Sequence, residues 1–158
     1  MRVTFSALQV VLLLVASLAG GLSAAAEPVS TSRFGGVAID GHDPAAYHEL
    51  SRDPHGAAVQ GAKSHTVEYK GATWLFASAE SAARFAAEPE RYAPLYNGHC
   101  ANALSLGEGL IRTDGIHWEI FGDELFLFYA GRGRERWLDG DRETFRAEAD
   151  AAWAELSR

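Results

Sequence analysis

Residues 68–78 read EYKGATWLFAS, and this segment carries the strongest local structural signals in the sequence. Two runs rich in β-branched and aromatic residues flank the turn Lys70-Gly71, which predicts a β-hairpin over residues 65–77. Ser78 then occupies the position of a helix N-cap, ahead of an alanine-rich segment that Pro89 ends. The stretch therefore predicts a strand, a tight turn, a second strand and a helix in immediate succession.

Similar patterns recur on both sides of this unit. Asp43 is expected to cap a helix that has Pro44 at its first position, and a short helix is expected to begin near Cys100. A second hairpin is predicted around Gly122-Asp123, and apolar residues at helical spacing predict a closing helix from residue 142. Two hairpins in one small antiparallel sheet, packed with three to four helices, predict a single α+β domain. No internal repeat is visible in the sequence.

The amino terminus has the pattern of a signal peptide over residues 1–26. Arg2 precedes an apolar run at residues 7–18, and alanines at positions 24 and 26 form a cleavage pattern. The alternative, a membrane anchor, is disfavoured because the run is shorter than the roughly 20 residues that a bilayer span needs. We therefore expect an exported protein, periplasmic or secreted, without a stable membrane span after cleavage. Residues 27–35 are expected to be a flexible lead-in to a domain at residues 36–157.

The charge of the chain argues against nucleic acid as a partner. The full sequence has a formal net charge of -7 at pH 7, and Lys63 and Lys70 are its only lysines. Phosphate backbones are bound by clustered Lys and Arg side chains, which this sequence lacks. Whether a protein partner exists is left open.

The hairpin stretch at residues 68–78 resembles the defining segment of the YHS-domain family, together with Arg84-Phe85 and the run PERY at residues 89–92. The run GHDPAAY at residues 41–47 and the run GHCA at residues 98–101 resemble a longer, exported branch of that family. The resemblance extends from about residue 36 to residue 153. It implies a YHS-like fold and, by the association of shorter family members with metal-handling proteins, a possible metal function.

One departure from the family pattern removes a particular metal site. Shorter family members carry a Phe-Cys-Ser-x-x-Cys element and another Cys after an Asp-Pro pair, whereas the matching positions here are Ala77, Ser81 and Ala46. A four-sulfur site needs several thiolates around one ion, so such a site is excluded at this place.

Cys100, the only cysteine, cannot form an internal disulfide, and its neighbour is His99. A first hypothesis is that Cys100 and His99, with His42 or Asp43 brought close by folding, bind copper or zinc, since mixed Cys and His ligands suit those ions. Tyr47 and His117 are assigned to the same ligand pocket. Adjacent residues point in different directions, so the spacing alone does not establish this site.

Two alternatives stay open. Cys100 could act as a nucleophile with His99 or His117 as its base, although no cysteine-hydrolase or redox signature surrounds it. In the other alternative Cys100 is a buried core residue, Asp43 is only a helix cap, and the chain is a plain protein-interaction domain. We expect a non-catalytic protein.

Overall fold

The computed structural model describes residues 28–50 and 56–158, so the predicted signal peptide lies outside the described residues. The predicted α+β class is confirmed. The elements in chain order are α1 (Ala46–Leu50), β1 (Ala62–Tyr69), β2 (Ala72–Phe76), α2 (Ala79–Ala87), α3 (Pro89–Tyr92), α4 (Ala101–Ser105), β3 (His117–Phe121), β4 (Glu124–Phe128), α5 (Gly131–Asp139) and α6 (Arg142–Leu156). Within the described residues no helix has the length and apolar character required to cross a bilayer.

The first hairpin forms as the sequence predicts. Strands β1 and β2 are antiparallel, with Tyr69 opposite Ala72, and the two turn residues have positive φ angles of 51° at Lys70 and 75° at Gly71. Such a two-residue turn matches the right-handed twist of the strands it joins. Helix α2 follows at once, and the Ser78 hydroxyl accepts a hydrogen bond from the backbone N–H of Ser81 at 3.1 Å, which confirms the predicted N-cap.

The two hairpins do not share a sheet. Strands β3 and β4 form their own two-stranded sheet. Isolated parallel bridges join Val37 to Thr73 on β2 and Cys100 to Leu127 on β4, and neither of these links the two hairpins to each other. The described residues also contain six α-helices, more than the three to four predicted. Sequence reasoning missed α5, because Gly131 and Gly133 and the alternating arginines hide its single buried side chain, Trp137.

Two short segments near the amino end differ from the sequence-based expectation. The run Val-Ala-Ile at residues 37–39 favours a short strand, but Ile39 has a positive φ of 42° and opens the 3₁₀ turn Ile39–Gly41. Ser30, within the expected lead-in, is fully buried and hydrogen-bonded to the backbone of Asn97 and Ile39. The chain is therefore already held against the domain at Ser30.

The apolar side chains form two clusters, one on each side of β4. The first contains Ala38, Ile39, Tyr47, Ala72, Trp74, Phe76, Phe85, Leu125 and Leu127. The second contains Tyr96, Ala101, Leu104, Phe126, Phe128, Trp137 and Ala149. Successive side chains of a strand point to opposite faces, so β4 contributes Leu125 and Leu127 to one cluster and Phe126 and Phe128 to the other. Strand β4 is thus central to the domain, as its aromatic residues on both faces suggest.

Candidate functional site

Cys100 lies at the amino end of α4, where its sulfur acts as the helix cap. The Sγ atom accepts hydrogen bonds from the backbone N–H of Ala103 at 3.4 Å and of Tyr129 at 3.2 Å. The residue is 4 % exposed. Two backbone donors thus converge on a sulfur that is nearly closed off from solvent.

His99, beside it in the chain, is also buried, and its imidazole points to a different set of neighbours. Its Nδ1 lies 3.0 Å from the carbonyl oxygen of Tyr96, which can only accept, so Nδ1 carries the proton. The ring packs on Trp153, with centroids 6.0 Å apart. Burial lowers the pKa of His99, the charge of Arg112 lowers it further, and the bond to Tyr96 opposes both. The imidazole is therefore held neutral near neutral pH.

Asp43 is a buried carboxylate that receives four hydrogen bonds. Its Oδ1 accepts from the backbone N–H of Ala45 at 2.9 Å and of Ala46 at 3.1 Å. Its Oδ2 accepts from the backbone N–H of Ala77 at 3.0 Å and from the Ser81 hydroxyl at 2.5 Å. A carboxylate offers about four lone-pair directions. All of them are occupied, so Asp43 caps α1 and ties it to the end of β2, and a metal ion would have to displace those bonds.

Of the remaining predicted site residues, His42 and Tyr47 both lie against Gly115, whereas His117 lies on the second hairpin. His42 has its Nδ1 3.4 Å from the carbonyl oxygen of Ile39. The hydroxyl of Tyr47 donates to the carbonyl oxygen of Gly115 at 2.6 Å, and burial, followed by the charges of Asp114 and Asp43, raises its pKa. His117 lies on β3, opposite Phe128.

These residues do not form one constellation in the part of the chain that the structure describes. No group of three or more His, Cys, Asp or Glu side chains there is placed to hold a metal ion. Within the same residues, the polar contacts of Cys100 are backbone N–H groups, and no hydrogen bond joins its sulfur to His99 or His117. The metal site stays a prediction, and the base that a thiol enzyme would need is not in contact with the sulfur.

A cleft that sequence reasoning did not predict lies beside His99. It has a volume of about 440 Å³ and is lined by Tyr69, Lys70, Glu90, Arg91, Ala93, Pro94, Leu95, Tyr96, Asn97, Asp123, Glu124 and Trp153. The first hairpin turn contributes Lys70, the second contributes Asp123, and α6 contributes Trp153. Trp153 also packs on the His99 ring, so the cleft and the predicted ligand region share a wall.

Hydrogen bonds fix several groups of this cleft. Lys70 Nζ donates to Asn97 Oδ1 at 3.0 Å, across the cleft between the first hairpin and the turn before α4. The Tyr96 hydroxyl donates to Asp150 Oδ1 at 2.8 Å, and burial together with this carboxylate raises the tyrosine pKa. The sequence held no signal for the cleft, because its aromatic residues have the same spacing as core residues.

Comparison with known proteins finds a family model that matches one segment of the chain. A family model for the YHS domain matches residues 55–96, from the segment before β1 to the turn before α4. The predicted resemblance is confirmed over that segment. No curated protein and no solved structure matches the chain.

Proposed function

We propose, on the premise that residues 55–96 belong to the YHS-domain family, that this chain is an exported, non-catalytic binding domain whose small ligand occupies the cleft beside His99. The observation that carries the proposal is the cleft itself. Its volume of about 440 Å³ lies within the range of small-molecule sites, roughly 300–1,000 Å³. Aromatic surface combined with a few charged groups is the usual lining of such sites.

The lining favours a ligand that carries both charges. Lys70 and Arg91 supply cations, whereas Glu90, Asp123 and Glu124 supply carboxylates. Tyr69, Tyr96 and Trp153 supply aromatic surface. A small zwitterion with an apolar part, such as a free amino acid or a short peptide, can use all three kinds of group.

The test is an NMR titration of the protein with free amino acids and dipeptides. We expect shifts of the amide signals of Lys70, Asn97 and the Trp153 indole, and about tenfold weaker binding in Lys70→Gln, since a hydrogen bond to a charged group contributes about 1.5–3 kcal/mol. Lys63→Gln is the matched control, because Lys63 is exposed on β1 and does not line the cleft. Shifts confined to other surfaces, or none at millimolar ligand, would contradict the proposal.

The family match favours a second candidate function, metal binding. YHS domains are associated with metal ions, and Cys100 with His99 offers one thiolate and one imidazole of the kind that copper and zinc prefer. Because the described residues place no three His, Cys, Asp or Glu side chains together, the ion would have to draw the imidazole to the sulfur and recruit another ligand. Calorimetry with Cu(I) and Zn²⁺ under reducing conditions decides it. Binding that is lost in Cys100→Ser supports a metal at this thiol, and no heat of binding excludes it.

Export belongs to the same proposal and rests on residues 1–26. If the full chain is expressed in a bacterium with a Sec pathway, the mature protein should be recovered from the periplasm or medium. Its first residue by N-terminal sequencing should be Glu27. Recovery of an uncleaved chain in the membrane fraction would favour an anchor instead.

A further inference from the structure

The strand–turn–strand–helix unit occurs twice in this fold, with a constant separation of 52 positions. In the first hairpin Tyr69 lies opposite Ala72 and Val67 opposite Trp74; in the second, Phe121 lies opposite Glu124 and Glu119 opposite Phe126. The helix that follows has nine residues in both cases, Ala79–Ala87 and Gly131–Asp139. Strand register, turn length and helix bounds therefore all coincide.

The correspondence extends to the segment before each hairpin. A turn with three successive positive φ angles precedes each unit: 42°, 51° and 81° over residues 39–41, and 54°, 49° and 82° over residues 96–98. A histidine follows in both cases, His42 or His99, and its Nδ1 faces the carbonyl oxygen of the first turn residue. Non-glycine residues rarely adopt positive φ, so two turns with the same sequence of angles are a specific resemblance.

The backbone pairing after these histidines is the same as well. His42 forms an antiparallel bridge with Gln60, and His99 forms one with Arg112. The next residue donates its N–H to a carbonyl at 2.8 Å in each unit, Asp43 to Val59 and Cys100 to Ile111. The partners again lie 52 positions apart.

Each unit has a capping side chain that joins a short helix to the end of the hairpin. Asp43 accepts from Ala46 N–H and from Ala77 N–H. Cys100 accepts from Ala103 N–H and from Tyr129 N–H. Ala77 and Tyr129 both directly follow the second strand of their hairpin. The sulfur of Cys100 thus occupies the place that a carboxylate occupies in the first unit.

The two hydrophobic clusters are built from corresponding side chains. Five positions recur: Ile39 and Tyr96, Tyr47 and Leu104, Trp74 and Phe126, Phe76 and Phe128, Phe85 and Trp137. In every pair the first residue belongs to one cluster and the second to the other. Each unit therefore supplies these five positions to a different cluster, and Leu125 and Leu127 of the second unit complete the first cluster.

We infer that the chain is an internal duplication: residues 38–88 and residues 95–140 are two copies of one structural unit, and the second is a YHS-like copy of which the family match at residues 55–96 reaches only the first two residues. The segment around Ser30 and helix α6 lie outside the repeat. Ser30 links the two copies through its backbone. Its N–H donates to the carbonyl oxygen of Asn97, the second residue of one turn, and its carbonyl oxygen accepts from the N–H of Ile39, the first residue of the other turn.

The duplication offers a structural explanation for the four predicted metal ligands. His42 with Asp43 and His99 with Cys100 are the same two positions in two copies, which accounts for the recurrence of Gly-His in the sequence. The recurrence reflects a repeated helix cap and is independent of whether the cleft binds a ligand.

The test transfers the cap of the first copy into the second. Ser81, which donates to Asp43, corresponds to Gly133. In a Cys100→Asp background we expect Gly133→Ser to raise the folding equilibrium constant about tenfold above that of Gly133→Ala, because only the serine can donate to the new carboxylate. The alanine is a matched control, since a Cβ at 133 meets Asn102 at 3.1 Å in both variants.

With cysteine retained at position 100, the serine should have no such advantage over the alanine. The measurement is urea unfolding followed by circular dichroism. A serine that is no better than the alanine in the Cys100→Asp background, or failure of both double variants to fold, would overturn the equivalence of the two caps.

Discussion

At the scale of single residues, Asp43 shows how a polar side chain can be part of the core. It is 1 % exposed, and its carboxylate accepts hydrogen bonds from three backbone N–H groups and from the buried Ser81 hydroxyl. Removing the carboxylate therefore affects several donors at once, since an unsatisfied buried donor costs about 1–3 kcal/mol.

We expect Asp43→Ala to lower the free energy of unfolding by about 2–4 kcal/mol. Asp141→Ala is the control, because Asp141 caps α6 through Thr144 on the exposed surface, and its loss should destabilise the domain clearly less than the loss of Asp43. Urea denaturation measures both. Equal costs for the two variants would mean that burial adds nothing to the cap at position 43.

His99 gives the stability of the domain a pH dependence. Its pKa in the folded state is lowered from the ordinary value of 6.5, chiefly by burial, so the unfolded chain binds more protons over the range between the two values. The stability contributed by the neutral imidazole is fully present above about pH 6.5 and is lost as the pH falls below that value.

We therefore expect the free energy of unfolding to decrease between pH 7 and pH 5.5, and the decrease to be smaller in His99→Gln. Burial lowers the pKa of His48 too, so His48→Gln serves as the comparison and part of the slope should survive in either single variant. The readout is the slope of stability against pH, which is independent of any uniform cost of the substitution. An unchanged slope in His99→Gln would show that His99 titrates normally.

At the scale of elements, the sequence predicted the units with local signals and missed those that depend on tertiary contacts. The Lys70-Gly71 turn and the Ser78 cap are encoded within a few residues, and both formed as predicted. Helix α5 was missed because its only buried side chain is Trp137, at the seventh position. The cleft was not predictable, because the sequence positions of Lys70 and Trp153 do not indicate that the first hairpin turn and α6 lie on the same cleft.

The repeat was hidden for a related reason. Corresponding positions keep burial and hydrogen bonding but rarely the residue, so Trp74 is matched by Phe126 and Asp43 by Cys100. The exceptions are local, such as Leu75-Phe76 and Leu127-Phe128. A search for a repeat of fixed length also fails, because the offset between the copies changes after α1. The capping residues Asp43 and Cys100 are 57 positions apart, whereas corresponding hairpin residues are 52 positions apart.

This difference leads to a prediction about the connection after α1, which is five residues longer than its counterpart after α4. In the second copy the shorter connection joins the short helix to the segment before the hairpin, as the longer one does in the first copy. Residues 51–55 lie outside the described residues, and their deletion should leave the domain folded. Its unfolding midpoint should change little, as loop closure depends only weakly on length.

The matched control deletes residues 106–110 from the second copy, where the connection is already short, and this variant should not fold. Circular dichroism and amide dispersion in NMR spectra measure both. A chain that unfolds when residues 51–55 are removed would argue that the two connections are not equivalent.

At the scale of the whole molecule, two cores could in principle unfold separately, but β4 makes this unfavourable. Leu127 belongs to the first cluster and Phe128 to the second, so neither core can lose its packing without moving the strand that supports the other. The parallel bridge between Cys100 and Leu127 adds a backbone link at the same strand. Cooperative unfolding of small domains arises from such shared elements.

We expect Leu127→Ala and Phe128→Ala each to lower the free energy of unfolding, by about 2–5 kcal/mol, within a single transition. Tryptophan fluorescence, which reports on Trp74 and Trp118 at one cluster and on Trp137 and Trp153 at the other, should coincide with circular dichroism during urea unfolding in both variants. Leu138→Ala, at an exposed leucine, is the control and should change the midpoint little. If Phe128→Ala instead produced two separated transitions, the copies would be independent folding units that merely lie side by side, and the strand between them would not couple their stabilities.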